Sequence, residues 1–187
     1  DFIALCGDVV AKGGAKYGLV HRPGKGPDFL DVLRALGGKY YTEDNKLLID
    51  KEGLLRYFQF IYDNVHTRHI TPNNLNQMGW TTIDALVGTG EAFAYFGTVY
   101  SSNYVYKDAG LSLEEFAASE QFVLFPKSQY TNAPFSVAAP QWVGISADTK
   151  YPEICKDLIR ELSANSPDLL AHHANAINVL SSVKAAN

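Results

Sequence analysis

Cysteine is scarce, and charge of either sign is never concentrated. The chain of 187 residues holds two cysteines, Cys6 and Cys155. That is too few for a disulfide scaffold. Both fall on helix-spaced apolar faces and read as small buried hydrophobes; whether they pair is left open. Sixteen Lys and Arg are interspersed with twenty Asp and Glu. No basic tract offers itself to a phosphate backbone, which argues against a nucleic-acid partner. No apolar run approaches the roughly 20 residues that span a bilayer, and no secretory signal peptide is visible. The first residues, "DFIALCGDVV", read as the inside of a helix with no initiator Met before them. The expectation is a chain that begins inside a longer protein.

Signatures of chemistry are missing as well. "HRPGKGPD" (21–28) contains Gly-Lys-Gly but lacks the earlier glycine of a phosphate loop, and Pro27 stands where an amide is needed. His66 and His69 are three apart, and His172 and His173 are adjacent. Neither pair has an acid or cysteine at a metal spacing, so helix-end histidines meeting free carbonyls are the expectation, with no metal and no cofactor. There is no Gly-x-Ser-x-Gly elbow, and no pair of acids stands out as general acid and base. The sequence gives no support for catalysis; a hydrolase or transferase on an α/β domain is kept as a lesser alternative.

What is present is a 47% hydrophobic content, enough for a sizeable core, and 11 Tyr, 10 Phe and 2 Trp. Phe2, Ile3, Leu5, Cys6, Val9 and Val10 recur at helical spacing, stopped by Gly13-Gly14. "YGLV" (17–20) reads as a short strand. Phe29, Val32, Leu33 and Leu36 mark a second helix, ended by Gly37-Gly38. "KLLI" (46–49) reads as extended. Asp50 caps a helix whose buried stripe is Leu54, Leu55, Phe58, Ile61, Tyr62 and Val65. Thr81 with Asp84 opens a short helix that ends near Gly88. Ala92 to Phe96 reads as a buried strand broken by Gly97, with a helix from about Val99 to Ala109 beyond it. Ser112 and Glu115 form a capping-box pattern. "FVLFP" (122–126) and "WVGIS" (142–146) read as strands. Pro152 suits a helix start, and Ser166-Pro167 opens the last helix. Short apolar strands alternating with helices predict an α/β lobe with a short mixed sheet flanked by helices.

Tyr100, Tyr104, Trp80 and Trp142 lie in polar company at strand or loop ends. Rings beside hydroxyls and amides suit a sugar, whose C–H face stacks while its hydroxyls take hydrogen bonds. Plain packing is the competing explanation for each ring.

The order of these segments resembles the carboxy-terminal lobe of family 1 extracellular solute-binding proteins, the maltose-binding-protein-like receptors of ABC importers. "YGLV" resembles the family's "YGL" strand, and "DFLDVLRALGGKYY" its helix ending in a double glycine. "LIDKEGLLRYFQFIYDNVHTRHITP" is similar to "DSPE…ALQFLKDLYDKGLIPP". "GTGEAFAYFGTVYSSN" is similar to "FxxGxAAMxxxGxW", with Tyr100 where the family often has Trp. "APQWVGISADTKYPEICKDLIREL" resembles "GGWGLAISKNSKNPEAAWDFIKFL", with Pro140 and Gln141 in place of small residues.

The resemblance covers nearly the whole chain. It implies a type II periplasmic-binding fold, with residues 1–187 as one lobe and the amino-terminal lobe not in this chain. It implies a periplasmic or extracellular receptor, free or membrane-anchored, that closes around a carbohydrate and presents it to importer permease subunits. A non-sugar anion or a metal complex is the alternative ligand, and a sensor that signals without transport is a further possibility. By position, three loops line the cleft: His21, Arg22 and Pro23, leading to Asp28; Thr98 and Tyr100, with Ser101 and Asn103 behind; and Gln141 with Trp142. Tyr100 and Trp142 are the stacking candidates. His21, Arg22, Thr98 and Gln141 are the hydrogen-bonding candidates; the planar fork of Arg22 suits a carboxylate or phosphate equally.

Overall fold

The computed structural model describes residues 1–23, 26–97, 101–134, 143–163 and 165–177. They belong to two compact units, Asp1–Ala138 and Ala139–Asn187. Helix accounts for 51% of the structure and strand for 4%. The α/β architecture with a mixed sheet expected from the sequence is therefore not formed. The described residues hold isolated bridges in place of strands: among them Tyr17 with Ala92 and Val20 with Tyr95, both parallel, and Tyr41 with Leu47, antiparallel.

The reason lies in the backbone of the two central segments. Tyr17 N–H donates to the Glu91 carbonyl and Phe93 N–H to the Tyr17 carbonyl. Three residues later the pattern repeats, Val20 N–H to Ala94 and Phe96 N–H to Val20. A regular parallel ladder repeats every two residues. Here each segment carries one residue too many between its bridges. The amides of Gly18 and Leu19 turn aside, and both donate to the Ile70 carbonyl, at 2.8 and 3.1 Å. The extended segments are real and parallel, but a third chain segment takes the bonds that would have made them a sheet. Residues 122–126 and 143–146 have strand composition, but of them only Phe125 is a bridge residue and none belongs to a strand.

Helices surround this pair in the first unit. α1 (Phe2–Ala11) is capped by Asp1, which accepts from Ile3 N–H at 3.0 Å. It packs Cys6 against Leu19 and Ile70. α2 (Gly26–Ala35) and α3 (Lys51–Tyr62) meet through Val32, Leu33 and Tyr57. Asp50 caps α3 by accepting from Gly53 N–H at 2.9 Å, and its second oxygen accepts from Lys39 N–H. A wide π-turn, Asp63–Thr67, continues α3, and His69 leaves it in the left-handed region (φ 54°). A short turn, Leu75–Gln77, leads to α4 (Trp80–Gly88), which crosses α5 (Ser102–Asp108) closely at Gly88 and Val105. α6 (Leu113–Ser119) starts with the capping box of Ser112 and Glu115.

In the second unit, α7 (Pro152–Glu161) begins at its proline and α8 (Pro167–Ile177) follows. Both cysteines are free thiols. Burial pushes the Cys6 thiol up to about 11, so it stays protonated and unreactive.

Candidate functional site

Successive residues of an extended segment face opposite ways. Leu19 enters the cluster under α1, whereas Val20 joins Ile83, Val87, Ala92, Val105 and Phe116 beneath α4 and α5. Beyond Val20 the chain carries charge into the interior. Arg22 is only 5% exposed, and its Nε donates to Asp28 Oδ2 at 3.0 Å. Asp28 lies in the first turn of α2 and is itself buried. The guanidinium carbon lies over the indole ring of Trp80, at the start of α4. Arg22 Nη2 and Asp28 Oδ1 are buried and have no hydrogen-bond partner among the described residues.

Two further carboxyls complete the cluster. Asp84 is buried on the inner face of α4, near Tyr95, whose hydroxyl lies 3.4 Å from Ser101 Oγ. Burial lifts the Asp84 carboxyl to about 6, against the opposing pull of Tyr95. Burial, with the Asp28 carboxylate nearby, lifts Asp31 to about 6 as well. Asp28 is raised by burial, which outweighs the attraction of Arg22. Arg22 thus acts on Asp28 and Asp84, while Asp31 responds to both the Asp28 carboxylate and the Arg34 cation. The sequence pattern of Thr81 with Asp84 suggested a helix cap; the structure instead starts α4 at Gly79 and turns Asp84 inward.

Asp84 gives a test of these electrostatics. Its folded value of about 6 lies above the ordinary 3.8. Between the two, the folded chain holds a proton that the unfolded chain releases. Asp84 therefore favours folding at low pH and loses that contribution as pH rises through this window. Asp84→Asn, which keeps the shape without the charge, should raise stability above about pH 7 by up to ~3 kcal/mol and change little below about pH 4. Thermal melts across pH check both arms. His21 works oppositely: burial lowers it to about 4, so acidification from 6.5 costs folding stability.

The expected site residues divide into two groups. His21 is fully buried in an apolar cage between Phe60 and Phe96, with ring centroids at 6.3 and 5.9 Å, and neither ring nitrogen has a partner among the described residues. Arg22 is the centre of the buried cluster. Pro23 lines the rim of a groove. Thr98, Tyr100, Gln141 and Trp142 lie outside the described residues. Ser101 and Asn103, placed behind the second loop, are buried at the start of α5.

The groove at Pro23 has a volume of about 410 Å³. Tyr57, Phe58, Ile61, Tyr62, Val65 and His66 form one wall, and Asn73, Leu75 and Asn76 the other. Sequence periodicity placed Phe58 and Tyr62 in the buried stripe of α3. They are instead 61% and 58% exposed, and Tyr57 takes the buried position. The signal that could have marked them is the i, i+4 spacing of Phe58, Tyr62 and His66, which puts three rings on one face. Among the described residues, no group of three or more His, Cys, Asp or Glu is placed to hold a metal ion. No helix there is long and apolar enough to cross a membrane. No family model, curated protein or solved structure matches the chain.

Proposed function

We propose that this chain is a solute-binding receptor of the ABC-importer kind whose motif order it resembles, and that its ligand is a neutral carbohydrate. One observation carries this reading. Residues 21–23, assigned to the ligand by position, and residues 96–97 leave the same end of a parallel pair, side by side at the Val20–Tyr95 bridge. Because the two segments run parallel, the stretches that follow them emerge at one end and can face a common ligand.

The chemistry at that end favours a neutral ligand. Arg22 is already balanced by Asp28, and of the two further acids Asp31 is opposed by Arg34 while Asp84 adds a third carboxyl, so three acids stand against two arginines. A phosphate or carboxylate ligand would meet net negative charge. A sugar hydroxyl, by contrast, donates readily to a carboxylate, and its ring face stacks on an indole. Trp80 is 42% exposed on its outer surface while Arg22 supports it from within. In this reading Arg22 holds the platform and Trp80 offers it.

Titration calorimetry of the protein against maltotriose, cellotriose, xylotriose, phosphate and citrate tests the proposal. Saturable heat with at least one trisaccharide, and none with either anion, is the expected result. Binding of phosphate or citrate with silence from every sugar would overturn it.

A further inference from the structure

We infer that the groove between α3 and the 73–76 segment is a saccharide subsite, distinct from Trp80, in which Phe58, Tyr62 and His66 form the stacking strip. This rests on the carbohydrate reading above, which assigns no residue of this groove except Pro23.

The three rings stand four residues apart along α3 and its π-turn. At 1.5 Å of rise per residue the strip is about 12 Å long, enough for more than one pyranose ring. Tyr62 and His66 are in contact, with centroids 4.7 Å apart. In a continuous α-helix, positions four apart drift steadily round the axis at 3.6 residues per turn. The π-turn, closed by Arg68 N–H donating to the Asp63 carbonyl at 2.7 Å, is wider and turns His66 back towards the groove. Such single wide turns are found repeatedly at functional sites.

Phe58 and Tyr62 are the two large rings that α3 leaves open to solvent, while their neighbour Tyr57 is sealed in the core as the groove's floor. The opposite wall supplies what a purely apolar slot would lack. Asn73 and Asn76 are exposed, and neither side-chain amide has a hydrogen-bond partner among the described residues. An amide offers both a donor and an acceptor, which suits a hydroxyl that is both. The volume, about 410 Å³, lies in the ordinary range for small-ligand pockets of roughly 300–1,000 Å³. Among the described residues no lysine or arginine lines the groove.

The test compares maltotriose and cellotriose binding to the protein and to Tyr62→Ala, Asn73→Ala and Trp80→Ala, with circular dichroism to confirm folding. Tyr62 and Asn73 are exposed, so their truncation leaves the core intact. Tyr62→Ala should weaken trisaccharide binding about tenfold and Asn73→Ala roughly threefold. Both should affect glucose binding less than trisaccharide binding, because a single sugar ring occupies one subsite. If a trisaccharide binds, Trp80→Ala weakens it and the two groove variants match the parent protein, the subsite is overturned while the carbohydrate reading stands. If neither trisaccharide binds the parent protein, both are overturned.

Discussion

Arg22→Met should cost the first unit about 3–5 kcal/mol, because it strands Asp28 as an unpaired buried acid. Arg22 and Asp28 form the one ion pair among the described residues in which both side chains are buried, at 6% and 1% exposure. Burial already raises the Asp28 carboxyl even with the guanidinium beside it. Without Arg22 the folded-state value climbs further, and the acid folds by keeping its proton. The sign of the pH dependence follows. A folded-state value above the ordinary carboxylate range stabilises at low pH and loses that contribution as pH rises. The Arg22→Met deficit should therefore be smallest in mild acid and grow towards neutrality. Chemical denaturation at several pH values reads this directly. The double variant Arg22→Met/Asp28→Leu should recover most of the loss, since an apolar pair can replace a buried ion pair at little cost. If the single variant melts like the parent protein, Arg22 is not the electrostatic centre of the site.

The second large effect is expected at Gly18. A Cβ built there would lie 2.5 Å from the Cys6 carbonyl oxygen, 2.8 Å from its Cβ and 2.9 Å from its carbonyl carbon. Two of these atoms are backbone, so no side-chain rotation relieves the clash. Gly18→Ala should force α1 away from the 17–20 segment and disturb the bond from Gly18 N–H to Ile70. A loss of about 3 kcal/mol is expected, at the upper end of overpacking costs. Gly7, inside α1, is the contrast. A Cβ there meets nothing within 4 Å, so Gly7→Ala should stabilise by roughly 0.5–1 kcal/mol through helix propensity and a less flexible unfolded chain. Equal effects from the two substitutions would contradict the close packing of α1 on the central segment.

Local chemistry was legible in the sequence wherever a few neighbouring residues decide the outcome. The caps at Asp50 and at Ser112 with Glu115, the proline start of α7 and the glycine stop after α2 all follow from short patterns. Sheet formation was not legible, because it depends on which distant carbonyl wins an amide. The 17–20 and 92–96 segments are extended as their composition suggested, and Tyr17 and Val20 bridge to Ala92 and Tyr95, yet Ile70 captures the two amides between them. Nothing within 17–20 announces that. The position of Asp84 was misread for a related reason: an acid three residues after a threonine is a cap only if the helix starts at the threonine, and this one starts at Trp80. The groove was hidden by periodicity itself. Apolar residues fill more than one face of α3, so hydrophobic spacing could not tell Tyr57 from Phe58. Only their neighbours in space make one the core and the other a groove wall.

The central claim is that the end of the molecule marked by Arg22, Trp80 and Pro23 receives a neutral sugar. Two-dimensional amide and indole spectra during titration with maltotriose and cellotriose to millimolar concentration test it most directly. The account predicts saturable shifts at the Trp80 indole N–H, at the Arg22 amide and at the amides of 73–77, with no response to phosphate. Shifts confined to other regions, or a saturable response to phosphate with none to either sugar, would contradict it.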